Sequence, residues 1–492
     1  MENNNNNNRM PGLKAALIPF VVLFTMIGLL VKIGGTGFVQ DWSWSVLLLC
    51  AVAALTVSVV FYRRPGSEYK RGLKLCSSQI FPAVPILALI ATVTVSWMAS
   101  GVVPTLIVYG LEMINPSIFP LVACVVCACV SVLSGSSWTT IATIGLAFIG
   151  IGEAMGYYAP LVAGAIISGA YFGDKVSPLS DTTVLASSSC GVDLFTHIRN
   201  MMRTSIPALV VALAVFGAVG LFATPAAAEE NAQVLIEGLE GMYNITGWTL
   251  VIPLLTLVIL ALRVSTRNTL IISTLAGCVG VFVFQGGADG DVAANLLETV
   301  KSLCTGTSAE VDDEILQSLT STGGIRGMIP TILLVLSGMC FGGVMLGSGM
   351  ISAITNVFLR HLHTRRGVVS ATVGTGLFFN CTTSDQYLSI ILNANVYSDL
   401  YGRKGIAPKV LSRTVEDSTS VTSVLIPWNS CGLTQSTVLG VATLAYLPFC
   451  VFNIMSPVMS IAAAWITEYR RRNSPAAVCS EKTPVAAVEI GE

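Results

Sequence analysis

Five acidic residues stand where an otherwise apolar chain turns polar: Asp174, Asp181, Asp385, Glu416 and Asp417. Around them are hydroxyl and amide oxygens, supplied by Ser134-Gly-Ser-Ser-Trp-Thr-Thr140, by the stretch from Gly169 to Thr183, by Asn380-Cys-Thr-Thr-Ser-Asp-Gln-Tyr387, and by 413–423 running on to Asn429. A carboxylate ringed by oxygen donors can hold a hard cation such as Na+, which prefers oxygen without strong directionality. The same carboxylate can instead hold a proton. A site that takes one or the other, but never both, exchanges them. The candidate cation and proton ligands are Asp174, Asp417, Asp181, Glu416 and Asp385, with Ser177, Ser180, Thr182, Ser420, Ser423, Ser137, Thr383, Asn380 and Asn429. Trp138 and Trp428 follow the hydroxyl-rich turns and are candidate cavity walls. Lys175 and Arg413 are candidate charge partners for an anionic solute.

Each of these has a plainer reading. The polar stretches could be aqueous loops, with Asp174 beside Lys175 and Arg413 near Glu416 as simple ion pairs. Asp193, with His197, Arg199 and Arg203 nearby, reads as the start of a helix, and Glu153 as part of a glycine-flanked loop. His197, His361 and His363 accompany basic loops and read as solvated surface. Cys124-x-x-Cys127-x-Cys129 has metal-like spacing, but its neighbours are apolar and no histidine is close. Small buried packing residues are the better account.

The elements that position the acids are membrane-spanning helices. Only 11% of residues are charged and 53% are hydrophobic, with a mean hydropathy of +0.76. A soluble domain carries about 25% charged residues, so this chain cannot cover a water-facing surface. Uncharged runs at 15–31, 43–62, 81–111, 205–224, 246–262 and 433–467 approach or exceed the ~20 residues that cross the hydrocarbon as a helix. Glycine and proline beside such runs break the helix and free backbone N–H and C=O groups, which survive in a membrane only where they line a cavity. An acid at that depth costs about 2.5–3.5 kcal/mol and is a functional candidate for that reason. The asparagine-rich start, 1–10, reads as disordered, and the first apolar run as an anchor rather than a cleaved signal. No basic, aromatic-interleaved run points to nucleic acid.

Lys and Arg gather in short segments around 63–74, 263–267, 360–366, 403–413 and 470–472. The intervening polar stretches are acidic: 223–246 carries four glutamates and no base, and 285–328 carries seven acids against Lys301 and Arg326. Basic loops belong on the cytoplasmic side, which puts both termini in the cytoplasm. Blocks 81–224 and 327–467 then start on opposite sides, the signature of an inverted-topology repeat. Asp174, Ser177 and Ser180 reappear as Asp417, Ser420 and Ser423, each 243 positions later. The expected organisation is all-α, a polytopic membrane protein of two inverted repeats with broken or re-entrant helices. Its parts are a cytoplasmic N-terminus with two leading spans (1–80), the first repeat (81–224), two linking spans between outside loops (225–326), the second repeat (327–467) and a cytoplasmic tail (468–492).

Three stretches carry a resemblance to the NhaC-type Na+/H+ antiporter family, within a larger ion-transporter superfamily. They are the run from Gly164 through Gly173-Asp-Lys-Val-Ser-Pro-Leu-Ser-Asp-Thr-Thr183, then Asp385-Gln-Tyr-Leu-Ser389, and Leu411-Ser-Arg-Thr-Val-Glu-Asp-Ser418 continuing to Leu425-Ile-Pro-Trp-Asn429. The resemblance implies secondary active transport in the cytoplasmic membrane, Na+ out and protons in, with no cofactor and no ATP. The sequence also lacks a phosphate-cradling GxxxxGK[ST] loop. The same resemblance reaches malate/lactate antiporters, so carboxylate exchange coupled to Na+ and H+ is the alternative. A membrane enzyme would need a nucleophile–base pair or metal ligands, and none stands out. Na+, H+ and the lipid bilayer are the expected partners, with small carboxylates and a second copy of the chain as further candidates.

Overall fold

A computed structural model describes residues 11–81, 83–222, 225, 228–262, 264–286, 292–308, 311, 314–359, 362 and 364–472. The asparagine-rich start, His361 and His363 lie outside them. Among the described residues there are helices and no strands. Seven helices of the described residues are long and apolar enough to cross a membrane, and nine spans result if each of two bent pairs counts as one.

Helices α1 (Leu13–Tyr62, broken at Gly35), α2 (Gly66–Ile80), α3 (Ala83–Ala99) and α4 (Val102–Met113) lead into α5 (Phe119–Ser134). Next come α6 (Ser137–Thr140), a π-helical stretch (Ile141–Gly145), α7 (Leu146–Ala154), α8 (Ala159–Val176), α9 (Asp181–Ser189) and α10 (Leu194–Phe222). The linking region holds α11 (Ala228–Met242), α12 (Val251–Ala261), α13 (Thr266–Phe284), α14 (Val292–Thr305), α15 (Glu314–Thr320) and α16 (Gly324–Gly327). The last third is α17 (Ile329–Gly347), α18 (Met350–Leu359), α19 (Arg365–Thr383), α20 (Gln386–Arg403), α21 (Pro408–Ser418), α22 (Ser430–Leu439), α23 (Thr443–Tyr446) and α24 (Val451–Arg472).

Two of the uncharged runs are not single helices. Run 81–111 bends by 66° between α3 and α4, at Ser100 and Gly101, where Gly101 takes φ 77°. Run 433–467 is cut into α22, α23, a short 3-10 turn and α24. Gly440 at φ 67° ends α22, and Pro448 lies in the 3-10 turn. Hydropathy does not register such a break, because a glycine or proline interrupts the backbone while the side chains around it stay apolar.

The breaks around the acids come in matched pairs. α5 ends at Gly135 (φ 65°) and is followed by extended Ser136, whose hydroxyl caps α6. α19 ends at Ser384 (φ 56°) and is followed by extended Asp385, whose carboxylate caps α20. α3 and α4 part at Ser100-Gly101, and α17 and α18 at Ser348-Gly349, with Gly349 at φ 76°. At each break a left-handed residue turns the chain, and at Ser136 and Asp385 the side-chain oxygen that follows satisfies a freed N–H at the next helix start.

Close helix packing holds these breaks in place. α5 lies against α8 because Gly173 and Gly169 present no side chain: a Cβ on Gly173 would meet Ser131 Cβ at 2.5 Å, and one on Gly169 would collide with the Cys124 carbonyl. Cys124 and Cys127 pack inside the largest apolar cluster, while Cys129 is exposed. Asp193 caps the start of α10, accepting a bond from the Thr196 N–H at 2.9 Å. That N–H holds the exposed Asp193 carboxyl below its ordinary pKa.

Candidate functional site

Asp174 sits in the last turn of α8, half-buried. One of its carboxylate oxygens accepts two bonds from the first residue of α6, from the Ser137 N–H at 3.1 Å and the Ser137 hydroxyl at 2.6 Å. A helix start offers unpaired N–H groups and a partial positive charge, so it is a natural seat for a carboxylate. Asp174 also lines a cavity of about 380 Å3 with Ser136, Trp138, Asp181, Thr182, Gln386 and Tyr387. A second cavity of about 530 Å3 shares Gly135 and Asp181 and reaches Ser265, Thr266 and Arg267. The route to Asp174 therefore opens on the side of the basic 263–267 segment.

Beside this lies a buried charge cluster. Lys175 Nζ donates to Asp417 and to the Ser456 hydroxyl at 2.7 Å, with the Phe452 ring 5.6 Å away. Ser456 Oγ is 3.2 Å from the same Asp417 oxygen. The second Asp417 oxygen has Arg413 Nε at 4.0 Å. The simple pairings of Asp174 with Lys175 and of Arg413 with Glu416 are thus replaced by one acid, Asp417, facing both cations. Glu416, on the neighbouring position of α21, is fully buried and its two oxygens make no hydrogen bond. Ser420, Thr182, Lys175 and Asp174 all lie close enough to interact with it. Thr183 Oγ1 donates to the Lys175 carbonyl at 3.0 Å and ties α9 to the end of α8.

A third group surrounds the α19–α20 break. Asp385 accepts from the Leu388 N–H at 2.9 Å and from the Ser430 hydroxyl at 3.5 Å. Asn380 donates to the Thr419 carbonyl and Thr422, and Asn429 donates to the Asn380 carbonyl. Thr383 bonds within the same turn, to the Asp385 carbonyl and Ser389. These amides and hydroxyls brace the broken chain, although Asn380 Oδ1 and Ser420 Oγ are buried without a partner. Ser423 reaches Gln386, Ser180 pairs with Thr182, and Ser177 closes the other break by donating to the Val132 carbonyl. Trp138 lines the Asp174 cavity, whereas Trp428 Nε1 donates to the Cys381 carbonyl.

Two regions of the chain, residues 10–189 and 169–466, match the model of the Na+/H+ antiporter family. The chain belongs to that family. It is 36% identical over 422 residues to the Na(+)/H(+) antiporter NhaC of Alkalihalophilus pseudofirmus, covering 84% of this chain and 89% of that protein. It is 38% identical over 368 residues to the malate-2H(+)/Na(+)-lactate antiporter of Bacillus subtilis, covering 75% and 77%. Against the arginine/ornithine antiporter ArcD of Halobacterium salinarum it is 31% identical over 457 residues, covering 92% of each.

Several participants in this candidate site are invisible to sequence reasoning. Ser456 and Phe452 come from α24, nearly 40 positions from Asp417, and carry no local signal. Tyr387 and Gln386 reach the Asp174 cavity only because α20 packs on α9. His197 is fully buried, not surface: its Nδ1 is 2.8 Å from the Ser412 hydroxyl, because α10 packs against α21. Glu153 is in the last turn of α7 and not in a loop, half-buried against a separate cavity.

Proposed function

We propose that this multi-pass membrane protein exchanges Na+ for H+, exporting Na+ across the cytoplasmic membrane, with Asp174 as the shared ligand. The observation that carries the reading is the Asp174 carboxylate: one oxygen anchored on Ser137, the residue half-buried at a cavity wall that also supplies Asp181, Thr182 and Tyr387. A proton on Asp174 removes the charge that a Na+ needs. A bound Na+ in turn displaces the proton, so one carboxyl enforces exchange without a cofactor. Glu416, fully buried beside Thr182, Ser420, Lys175 and Asp174, serves as the second acid. Asp417 is the counter-ion of Lys175 and Arg413, and Asp385 the cap of α20, rather than carriers themselves.

Two inverted repeats, 81–224 and 327–467, are part of this reading. The matched breaks at Ser100-Gly101 and Ser348-Gly349, and at Gly135-Ser136 and Ser384-Asp385, support it. With basic segments inside, the cavity that reaches Arg267 faces the cytoplasm, as do both termini. Carboxylate antiport is the second reading, favoured by the malate/lactate relative and by Lys175 and Arg413. Asp417 already occupies both cations, so an organic anion would have to displace it. Everted vesicles holding a pH gradient decide between them. Sodium-dependent collapse of the gradient, lost in Asp174→Asn, supports Na+/H+ exchange. Collapse only when malate or lactate is added refutes it.

A further inference from the structure

The cavity that holds Glu153 lies away from every group used above. It has a volume of about 390 Å3 and is walled by α3, α4, α7, the segment from Leu319 to Met328, and the end of α22. Its described lining contains one carboxylate, Glu153, and no base. Arg326, on the neighbouring α16, is exposed and outside the lining. Two of its hydroxyls have already placed their protons. Thr94 Oγ1 donates to the Ile90 carbonyl at 3.1 Å and Thr437 Oγ1 to the Leu433 carbonyl at 2.9 Å. Thr437 Oγ1 is also 2.7 Å from Thr331 Oγ1, so the lone pairs left for an incoming cation are those of Thr94.

The helices that end here begin at the candidate ion site. α6 starts at Ser137, on Asp174, and the helical path through the π stretch and α7 reaches Glu153. α22 starts at Ser430, whose N–H bonds the Ser384 carbonyl and whose hydroxyl bonds Asp385, and it ends at Leu439 and Gly440 in the cavity wall. The two packed segments therefore turn their positive ends toward the buried acids and their negative ends toward Glu153. Sixteen residues at 1.5 Å each separate Ser137 from Glu153 by about 24 Å, most of the ~30 Å hydrocarbon thickness. Buried Ile141 and Ala142 lie between. The two cavities therefore lie at opposite ends of this helical path.

We infer that the Glu153 cavity is a staging site for a hard monovalent cation on the face bearing Leu319–Met328. The carboxylate, the Thr94 oxygen and the two helix C-termini receive Na+ released from Asp174 on its way out and, in the reverse direction of exchange, draw it in and partly dehydrate it before it reaches Asp174. The inference rests on the cation-exchange reading and adds a second, face-specific site to it. An anionic solute meets only like charge there.

The test uses the full-length protein in proteoliposomes of known orientation, with Na+ supplied on one face at a time at constant ionic strength. Glu153→Gln is expected to raise the Na+ concentration for half-maximal exchange about tenfold on the Leu319–Met328 face, the scale of one lost charge in a partly solvated cavity. On the Arg267 face the change should stay under about twofold, because the charge is a full cavity away and screened. Glu153→Asp should recover most of the affinity. Ser321→Lys, at an exposed rim position, should produce the same one-faced loss without touching the carboxylate, which keeps the test open if Glu153→Gln misfolds. Equal effects on both faces, or none, overturn the staging site while leaving exchange at Asp174 intact. A wild-type protein that exchanges no Na+ overturns the functional reading itself.

Discussion

Replacing Lys175 by Met should unmask Asp417. Lys175 is 1% exposed and Asp417 is fully buried, so the pair is not screened by water. Truncating one partner of such a pair leaves an uncompensated buried charge, at a cost of about 3–5 kcal/mol. Arg413 Nε remains 4.0 Å from the other carboxylate oxygen and Ser456 still bonds the first, which points to the lower end, about 3 kcal/mol. Asp417→Asn should cost a similar amount, because it strands Lys175 and Arg413 together. The double variant Lys175→Met/Asp417→Asn removes both charges and leaves only Arg413 without its carboxylate. Its loss should be about 2–3 kcal/mol rather than the sum of about 6, a coupling of about 3 kcal/mol between contacting residues. Equilibrium unfolding in mixed detergent micelles, followed by circular dichroism, reads all four corners of the cycle. Additive losses would refute the buried pair. A folded double variant that has lost Na+-dependent exchange would refute the assignment of Asp417 as counter-ion.

Four further outcomes follow from named contacts. Ser137→Ala removes the 2.6 Å hydroxyl bond to Asp174 and leaves the backbone bond. It should cost about 1.5–3 kcal/mol, the range for a hydrogen bond to a charged group, and raise the Na+ needed for half-maximal exchange. Gly173→Ala forces a Cβ into Ser131 and the α5 backbone, so it should destabilise by about 1–3 kcal/mol and impair exchange by moving Asp174. Asp385→Ala should lose about 1 kcal/mol with the α20 cap, while Asp385→Asn, which still caps, should stay folded and exchange Na+. Asp193 has its folded-state pKa depressed by the Thr196 N–H. Its contribution is present above the ordinary carboxylate range and lost as pH falls through the depressed value, so Asp193→Asn should flatten the acid limb of an unfolding-versus-pH curve.

Composition and run length were enough to establish a helical membrane protein, because lipid penalises charge and unpaired backbone wherever they occur along the chain. The break after α5 was legible, because Gly135 and the hydroxyl run are local features, and the 243-residue echo of Asp174 in Asp417 can be read off the chain; the break at Gly440 was not, because the side chains around it stay apolar. The partners of those acids were not legible. Lys175 sits next to Asp174 in sequence, yet it crosses to Asp417 and Ser456, since adjacent residues on a helix face about 100° apart and the neighbour that matters comes from another helix. His197 was misread as surface because a basic segment looks solvated until α21 packs over it. Glu153 was passed over because a lone acid in a glycine-rich stretch is unremarkable until the ends of α7 and α22 and the 319–328 segment enclose it. Local chemistry is written along the chain. Which charges meet, and on which face a cavity opens, depends on helix packing between residues tens to hundreds of positions apart, and only the tertiary structure decides it.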